Sequence, residues 1–245
     1  MPIFTSKTMT TQRLRAGFSF SGTRVTDLAA TEYTLVGVAA DTSSSVAPFA
    51  GEIESCIKEV VTACRRSPRA DNLMLRLVTF SRKLEEVHGF VPLVDCPIDS
   101  YTDAVRCEGT TALYDAATTL VESVGAYGKT LCDADFDVNG IVFVITDGAD
   151  NASKQSAADL GRALERVRRA EHVESLVSVL VGVNVADPQL DAYLSDLAQT
   201  AGFTRYLPIG DANASSLARL AQFVSRSISA QSMALGTGAS QPIGF

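Results

Sequence analysis

The most constraining feature of this sequence is an alternation of strand-length apolar runs with helix-length amphipathic segments. Several runs are almost continuously apolar, as in residues 33–40 (YTLVGVAA) and 141–145 (IVFVI). Such runs are typical of strands that are buried on both faces, which occur in parallel sheets covered by helices. The sequence therefore predicts an α/β fold, with a doubly wound, mostly parallel six-stranded sheet and helices on both faces.

The predicted elements follow one another from residue 33 onward. Hydrophobic periodicity and length predict strands over 33–40, 73–80, 141–145, 176–183 and 204–207, and an antiparallel edge strand near 83–94. The same criteria predict helices over 49–66, 111–124, 157–171, 188–200 and 211–229. Gly125 and Gly202 are expected to end the second and fourth helices, and Asp187 is expected to cap the fourth.

Composition divides the chain into three parts. Residues 1–32 are polar and rich in Thr and Ser, and we predict an N-terminal arm or an added hairpin with its turn at 21–24. Residues 33–232 carry the strand–helix alternation and form the predicted domain. Residues 233–245 are rich in Gly, Ala and Ser, which predicts a flexible tail.

Charge and composition argue against several classes of protein. The net charge of −7 and the lack of a long basic stripe disfavour nucleic acid and anionic membranes as partners. No apolar run reaches the length of a membrane span, and the N-terminus lacks the pattern of a secretory signal. The five cysteines show no CxxC spacing and are expected to be reduced thiols. We therefore expect a cytoplasmic protein.

One predicted helix is crowded with arginine. Arg162, Arg166, Arg168 and Arg169 all lie between residues 157 and 171. A charged helix face of this kind is usually a solvated surface, and we predict one here. A dedicated anion-binding site is the alternative.

Three short polar segments lie at the ends of predicted strands or at the start of a helix. They read DTSSS over residues 41–45, GTT over residues 109–111 and TDG over residues 146–148. Ligands of doubly wound sheets bind at the carboxyl ends of the strands, where the strand order reverses. If the strands before the first and third segments are neighbours, the three segments meet at one edge of the sheet.

These segments are rich in oxygen ligands. Side by side, the carboxylates of Asp41 and Asp147 repel each other, and a proton or a cation between them relieves the repulsion. Hydroxyl groups of Ser43, Ser45 and Thr111 would complete a set of hard oxygen ligands, which suits Mg²⁺. Because hydroxyl ligands are neutral, the bound cation keeps part of its positive charge. A carboxylate of another molecule is then a favourable last ligand.

Together, the three segments resemble the metal-ion-dependent adhesion site of the von Willebrand factor type A (vWA) domain. The family pattern is DxSxS, then a Thr in a GGT-like segment, then TDG, and the resemblance covers about residues 33–230. In the family, the serines and the threonine contact the metal, and the two aspartates support it. The resemblance implies a Mg²⁺ or Mn²⁺ site formed by Asp41, Ser43, Ser45, Thr111 and Asp147.

The sequence departs from the family pattern at two points. Ser44 stands where the family often has Gly, which narrows the backbone choices without removing a ligand. Thr110 stands where the family has Gly, so it is the alternative ligand to Thr111. We prefer Thr111 because the Ala-Leu-Tyr-Asp-Ala segment that follows it matches the register of the family pattern. Residues 223–229 are similar to the end of bacterial vWA proteins associated with tellurium resistance.

The resemblance implies a metal-dependent protein–protein binding module, in which an Asp or Glu of a partner protein completes the coordination of the cation. The residues themselves disfavour an enzyme. The chain has only two histidines, and position 43 is Ser where an aspartyl-phosphate enzyme would place a second Asp. Two alternatives remain: a structural subunit of a larger assembly, and a metal-dependent hydrolase or phosphatase.

Overall fold

A computed structural model of the chain describes residues 8–15, 17–183, 185, 187–210 and 213–234. The described strands are β1 (Met9–Arg13), β2 (Ser19–Thr23), β3 (Glu32–Asp41), β4 (Leu73–Phe80), β5 (Leu84–Pro92), β6 (Asp137–Thr146), β7 (Ser175–Val183) and β8 (Arg205–Ile209). The described α-helices are α1 (Ala50–Arg65), α2 (Leu113–Cys132), α3 (Ala157–Arg168), α4 (Pro188–Ala201) and α5 (Ala214–Ala234). The predicted tail lies outside the described residues from 235 onward.

The strands form one sheet in the order β1-β2-β5-β4-β3-β6-β7-β8. The β1–β2 and β4–β5 pairs are antiparallel, and the other neighbouring pairs are parallel. The strands β3 and β6 are parallel neighbours in continuous register from Glu32↔Asp137 to Ala40↔Ile145. This arrangement confirms the predicted α/β class and the predicted adjacency of the two strands that precede the polar segments.

Helices cover both faces of the sheet, because successive side chains of a strand point to opposite faces. In β3, Leu35 packs into the core beneath α2, α3 and α4, whereas Val36 packs into the core beneath α1 and α5. Both residues are buried, which explains why this strand is apolar on both faces. Within the described ranges, no helix combines the length and apolar character that a membrane span requires.

The predicted number of six strands is wrong, because the hairpin β1–β2 adds two strands beyond β5. The hairpin agrees with the prediction, but its turn includes Gly17, whereas Gly22 lies within β2. The strand near 83–94 is antiparallel to β4 as predicted, yet it is not an edge, since β2 pairs with it at Gly22↔Phe90. Buried aromatic side chains hold the hairpin there, with Phe20 in edge-to-face contact with Phe90 and Tyr127.

Two glycines had been expected to end helices, and only one does so. Gly202 adopts φ +79° and ends α4, which Asp187 caps at the other end by accepting a hydrogen bond from Gln189 N. Gly125 instead lies in the middle of α2. A Cβ atom there would come within 2.8 Å of Val167 Cγ2, so this glycine permits close packing of α2 against α3.

Candidate metal centre

The polar segments at 41–45 and 146–148 meet at the carboxyl ends of β3 and β6, where the strand order reverses. Asp41 is the last residue of β3, and Asp147 directly follows β6. Ser45 Oγ donates a hydrogen bond to Asp147 Oδ1 over 3.1 Å, and it lies 3.0 Å from Ser43 Oγ. The hydroxyls of the first segment therefore contact the carboxylate of the third.

Asp41 is completely buried, and both of its carboxylate oxygens accept hydrogen bonds. Oδ1 accepts from Ser43 N over 2.8 Å, and Oδ2 accepts from Thr146 Oγ1 over 2.6 Å. Burial raises the pKa of Asp41 to about 6; the hydrogen bonds from Thr146 and Ser43 oppose this rise, and the nearby charge of Asp147 adds to it. The carboxylate is thus held in a fixed position where its charge is costly.

Asp147 is in a similar electrostatic position. Burial raises the pKa of this carboxyl, although the hydrogen bond from Ser45 lowers it in part. Two carboxylates with raised pKa values lie at the same edge of the sheet, and a positive ion beside them would stabilise both charged forms.

Thr111 is buried, whereas its neighbour Thr110 is exposed. A Cβ atom placed on Gly148 would lie 3.7 Å from Ser45 Oγ and 3.8 Å from Thr111 Oγ1. Both hydroxyl oxygens therefore lie beside the third segment, so the structure brings all five predicted residues to one edge of the sheet.

The backbone of the second segment is joined to that of the first. Glu108 N donates to Thr42 O over 2.8 Å, and Ser44 N donates to Gly109 O over 3.0 Å. Gly109 has φ +74°, a left-handed conformation that favours glycine. The glycine of the GTT segment is thus required by this turn, which leads the chain into α2.

Sequence reasoning missed a residue that holds Thr111. Asn151 Oδ1 accepts a hydrogen bond from Thr111 N over 2.8 Å, and Asn151 N donates to Thr111 O over 3.0 Å. This reciprocal pair connects the loop after β6 to the start of α2. The only signal in the sequence is the polar run that follows TDG, which is rich in side chains that hydrogen-bond to backbone groups.

Further hydrogen bonds join the same loop to α2 and α4. Asp150 Oδ1 accepts from Tyr114 N over 3.3 Å, and Asp150 N donates to Tyr193 Oη over 3.2 Å. The carboxylate of Asp115 accepts from the backbone N–H groups of Lys154 and Gln155. These bonds hold the loop that carries Asp147 in one arrangement. Thr146 has a comparable role, because its hydroxyl orients Asp41.

The chemistry of the donor set fits a small, hard cation. Among the described residues, no group of three or more His, Cys, Asp or Glu side chains is placed to hold a metal ion. A site here therefore depends on hydroxyl oxygens supplemented by two carboxylates, which suits Mg²⁺ or Mn²⁺ better than softer metals. The assignment of metal ligands to these residues stays a prediction.

A polar cavity of about 670 Å³ opens beside the first segment. Thr42, Cys107 and Glu108 are among its lining residues, and the positive charges of Lys83 and Arg106 face the carboxylates of Glu85, Glu86, Asp103 and Glu108. It provides room for part of another molecule next to the candidate site.

Neither a family model nor a curated protein matches the sequence. The fold, however, is similar to solved structures. The PilB minor pilin from Streptococcus sanguinis matches with a TM-score of 0.59 and 14% identity, over 88% of this chain and 65% of that chain. The pilus adhesin SpaC from Lactobacillus rhamnosus GG matches with a TM-score of 0.56 and 12% identity, over 85% and 32%.

A third similar structure is proximal thread matrix protein 1 from the mussel byssus, with a zinc-occupied MIDAS motif. Its TM-score is 0.53 and its identity 16%, over 80% of this chain and 45% of that chain. This chain thus spans less than two thirds of the length of each of the three proteins. At these identities the likeness shows the fold, which is vWA-like. The similarity to tellurium-resistance-associated proteins stays a prediction.

Proposed function

We propose that this protein is a metal-dependent binding module that holds a partner protein through Mg²⁺ or Mn²⁺. The observation that carries the proposal is the convergence of the Ser43 and Ser45 hydroxyls with two buried carboxylates where the strand order reverses. Ser43, Ser45 and Thr111 would hold the cation, supported by Asp41 and Asp147. When bound, the cation supplies an electrophilic position that attracts an Asp or Glu of the partner.

Similar structures support the proposal. A byssus protein of the same fold holds zinc at a MIDAS motif, and another protein of this fold is a pilus adhesin. The polar cavity beside the first segment would accommodate partner residues that flank the carboxylate.

The state of His88 favours binding over hydrolysis. Both ring nitrogens of His88 are engaged, with Nδ1 2.9 Å from Gly89 O and Nε2 2.9 Å from Tyr101 Oη. Burial lowers the pKa of this histidine, which lies in β5 within the core. A hydrolase would need a general base at the candidate site, whereas the ring of His88 is buried and both of its nitrogens already have hydrogen-bond partners.

We propose a cytoplasmic location, as the sequence predicts. All five cysteines are free thiols, and Cys56, Cys64 and Cys96 are buried. Burial raises the pKa of Cys56 and of Cys64 to about 12, so both act as unreactive core residues. Free thiols of this kind suit a reducing compartment.

Addition of Mg²⁺ is expected to stabilise the purified protein. A ligand that binds only the folded state adds about 2.7 kcal/mol to the free energy of unfolding at one hundred times its dissociation constant. Isothermal titration calorimetry and thermal unfolding, each with an EDTA control, measure the effect. The absence of both heat and a thermal shift at millimolar Mg²⁺ and Mn²⁺, with and without a partner, would contradict the proposal.

Thr111→Ala and Asn151→Ala are both expected to weaken Mg²⁺ binding, by about tenfold or more. The first variant removes a proposed ligand, and the second removes the side chain that holds Thr111 N. Thr110→Ala is the matched control and should leave the dissociation constant unchanged, because Thr110 is exposed. Titration calorimetry compares the three variants. A larger loss in Thr110→Ala than in Thr111→Ala would transfer the ligand role to Thr110.

A further inference from the structure

A second concave surface lies between the turn after β1, helix α2 and the end of α3. This basic groove has a volume of about 300 Å³ and is lined by Arg13, Leu14, Arg15, Glu122, Gly125, Ala126, Lys129, Arg166, Val167, Ala170 and His172. Helix α2 begins beside the candidate metal centre, and Ala126 lies thirteen residues into it, which corresponds to about 20 Å at 1.5 Å per residue. The groove is therefore separate from the metal centre.

The charge of the basic groove is opposite to that of the whole chain. Its lining carries four cationic side chains, Arg13, Arg15, Lys129 and Arg166, against the single carboxylate of Glu122. The chain as a whole has a net charge of −7. A local excess of positive charge on an acidic protein attracts an anionic ligand, whereas the rest of the acidic surface repels it.

Two of the four cations have local partners. Arg166 Nη1 lies 3.0 Å from Glu122 Oε1, and Lys129 Nζ lies 2.7 Å from Asp133 Oδ2 on the exposed surface of α2. The Lys129–Asp133 pair is exposed and contributes little to stability, whereas Arg166 is about half exposed and its partner Glu122 is largely buried. Within the described part of the chain, neither Arg13 nor Arg15 has a carboxylate partner, so both are available to a ligand.

Helix dipoles do not explain these charges. Arg166 lies in the last turn of α3, where a cation offsets the partial negative charge of the helix end. Arg13 and Arg15, however, belong to the hairpin and come from an element without a helix dipole. Cations from three elements therefore surround one groove.

The groove is preformed. Leu14 is buried, and its N–H donates to Phe18 O over 2.7 Å in the turn after β1. Gln12 Nε2 donates to Thr130 Oγ1 over 2.9 Å, which joins the hairpin to α2. A ligand would meet the two arginines on a fixed backbone, so little ordering entropy would oppose binding.

We propose that the basic groove docks an acidic amphipathic segment of a protein partner. The apolar floor, formed by Leu14, Ala126 and Val167 among others, suits an aliphatic side chain, and the cationic rim suits flanking Asp or Glu residues. The alternative occupants fit less well. A nucleic acid or an anionic membrane requires an extended basic surface, whereas here the basic side chains surround one small groove on an acidic molecule.

Fluorescence anisotropy with defined peptides tests this proposal. The probe is a fluorescein-labelled octapeptide of alternating Glu and Leu, and the matched probe replaces every Glu by Gln. EDTA is present throughout, so that the metal centre cannot capture a carboxylate and the result does not depend on the metal-dependent function. We expect the Glu–Leu probe to bind at least tenfold more tightly than the Gln–Leu probe, with affinity falling as salt increases from about 50 to about 200 mM.

Arg13→Glu/Arg15→Glu should weaken binding of the Glu–Leu probe at least tenfold. The control, Arg66→Glu/Arg226→Glu, makes the same charge change at exposed arginines of α5 and the end of α1, on the other face of the sheet, and should bind like wild type. Equal binding of the two probes, equal loss in the two double variants, or no binding at all would overturn the proposal. Competition by inorganic phosphate at low millimolar concentration would also overturn it, in favour of a small-anion site.

Discussion

Glu86→Ala is expected to lower the free energy of unfolding by about 3–5 kcal/mol. The side chain of Arg76 is 1% exposed in the middle of the sheet, and its Nε donates to Glu86 Oε2 over 3.0 Å. Its other contacts, with Ser123 Oγ and the ring of Phe20, are neutral. Burial lowers the pKa of Arg76, and the charge of Glu86 opposes that effect. Without Glu86, the guanidinium charge would remain buried and uncompensated.

The same change should loosen the hairpin. The carboxylate of Glu86 also accepts hydrogen bonds from the backbone N–H and the hydroxyl of Ser21 in β2. The pairing of β2 with β5 has a single registered pair, Gly22↔Phe90, so these side-chain bonds add to the Thr23 Oγ1–Phe90 O hydrogen bond and the aromatic contacts of Phe20 in attaching the hairpin. Hydrogen exchange in β1 and β2 is therefore expected to accelerate more than in β3 or β6.

Urea unfolding measures the loss of stability, and Glu85→Ala is the matched control. Glu85 is the exposed neighbour of Glu86 on β5, and its removal should change the free energy of unfolding by less than about 0.5 kcal/mol. Arg76→Met/Glu86→Leu should recover much of the loss, because it removes both charges and refills the space. Equal effects of the two alanine variants would show that the buried ion pair does not stabilise the sheet.

These contacts also show which parts of the fold could be predicted from sequence. The strands β3 and β6 are buried on both faces, so their apolar runs identify them and indicate where their carboxyl ends lie. The convergence of Asp41 and Asp147 then follows from strand adjacency. The hairpin is different, because its position depends on Phe20 and Glu86, which are distant in sequence and give no periodic signal.

Sequence reasoning missed the roles of other residues for the same reason, because those roles depend on tertiary contacts. Gly125 has the residue type of a helix end, yet it lies inside α2, where a Cβ atom would come within 2.8 Å of Val167 Cγ2. Asn151 lies 40 residues from Thr111 in sequence, and only the folded chain brings its side chain to that N–H. The five candidate residues could be named from the sequence because a known motif contains them, and their role as ligands stays a prediction. The residues that hold them in place belong to this particular fold.

Asp41→Asn is expected to change stability in opposite directions with and without Mg²⁺. Burial raises the pKa of Asp41 from 3.8 to about 6, so the folded protein binds this proton more tightly than the unfolded chain does. Without metal, ionisation above this pKa costs on the order of 3 kcal/mol. The contribution of this group to stability is therefore fully present below pH 3.8 and is lost as the pH rises through about 6.

Asparagine keeps the shape of the side chain but cannot ionise. In EDTA at about pH 7.5, the variant should be more stable than wild type, and this advantage should disappear at about pH 4. In saturating Mg²⁺ the order should reverse, because only wild type supplies the carboxylate charge that supports the cation. Denaturant unfolding at both pH values, with EDTA and with Mg²⁺, measures all four differences, and Asp137→Asn, at an exposed position, should change none of them.

The reversal distinguishes a metal centre from a structural turn. If Asp41 served only to accept hydrogen bonds from Ser43 N and Thr146 Oγ1, Mg²⁺ would leave the stability order of wild type and variant the same as it is in EDTA. If the carboxylate instead supports a cation, its charge destabilises the folded protein until a cation binds, and Mg²⁺ makes the charged form favourable. A partner that contributes an Asp or Glu should then bind wild type in Mg²⁺ and fail to bind the variant under the same conditions.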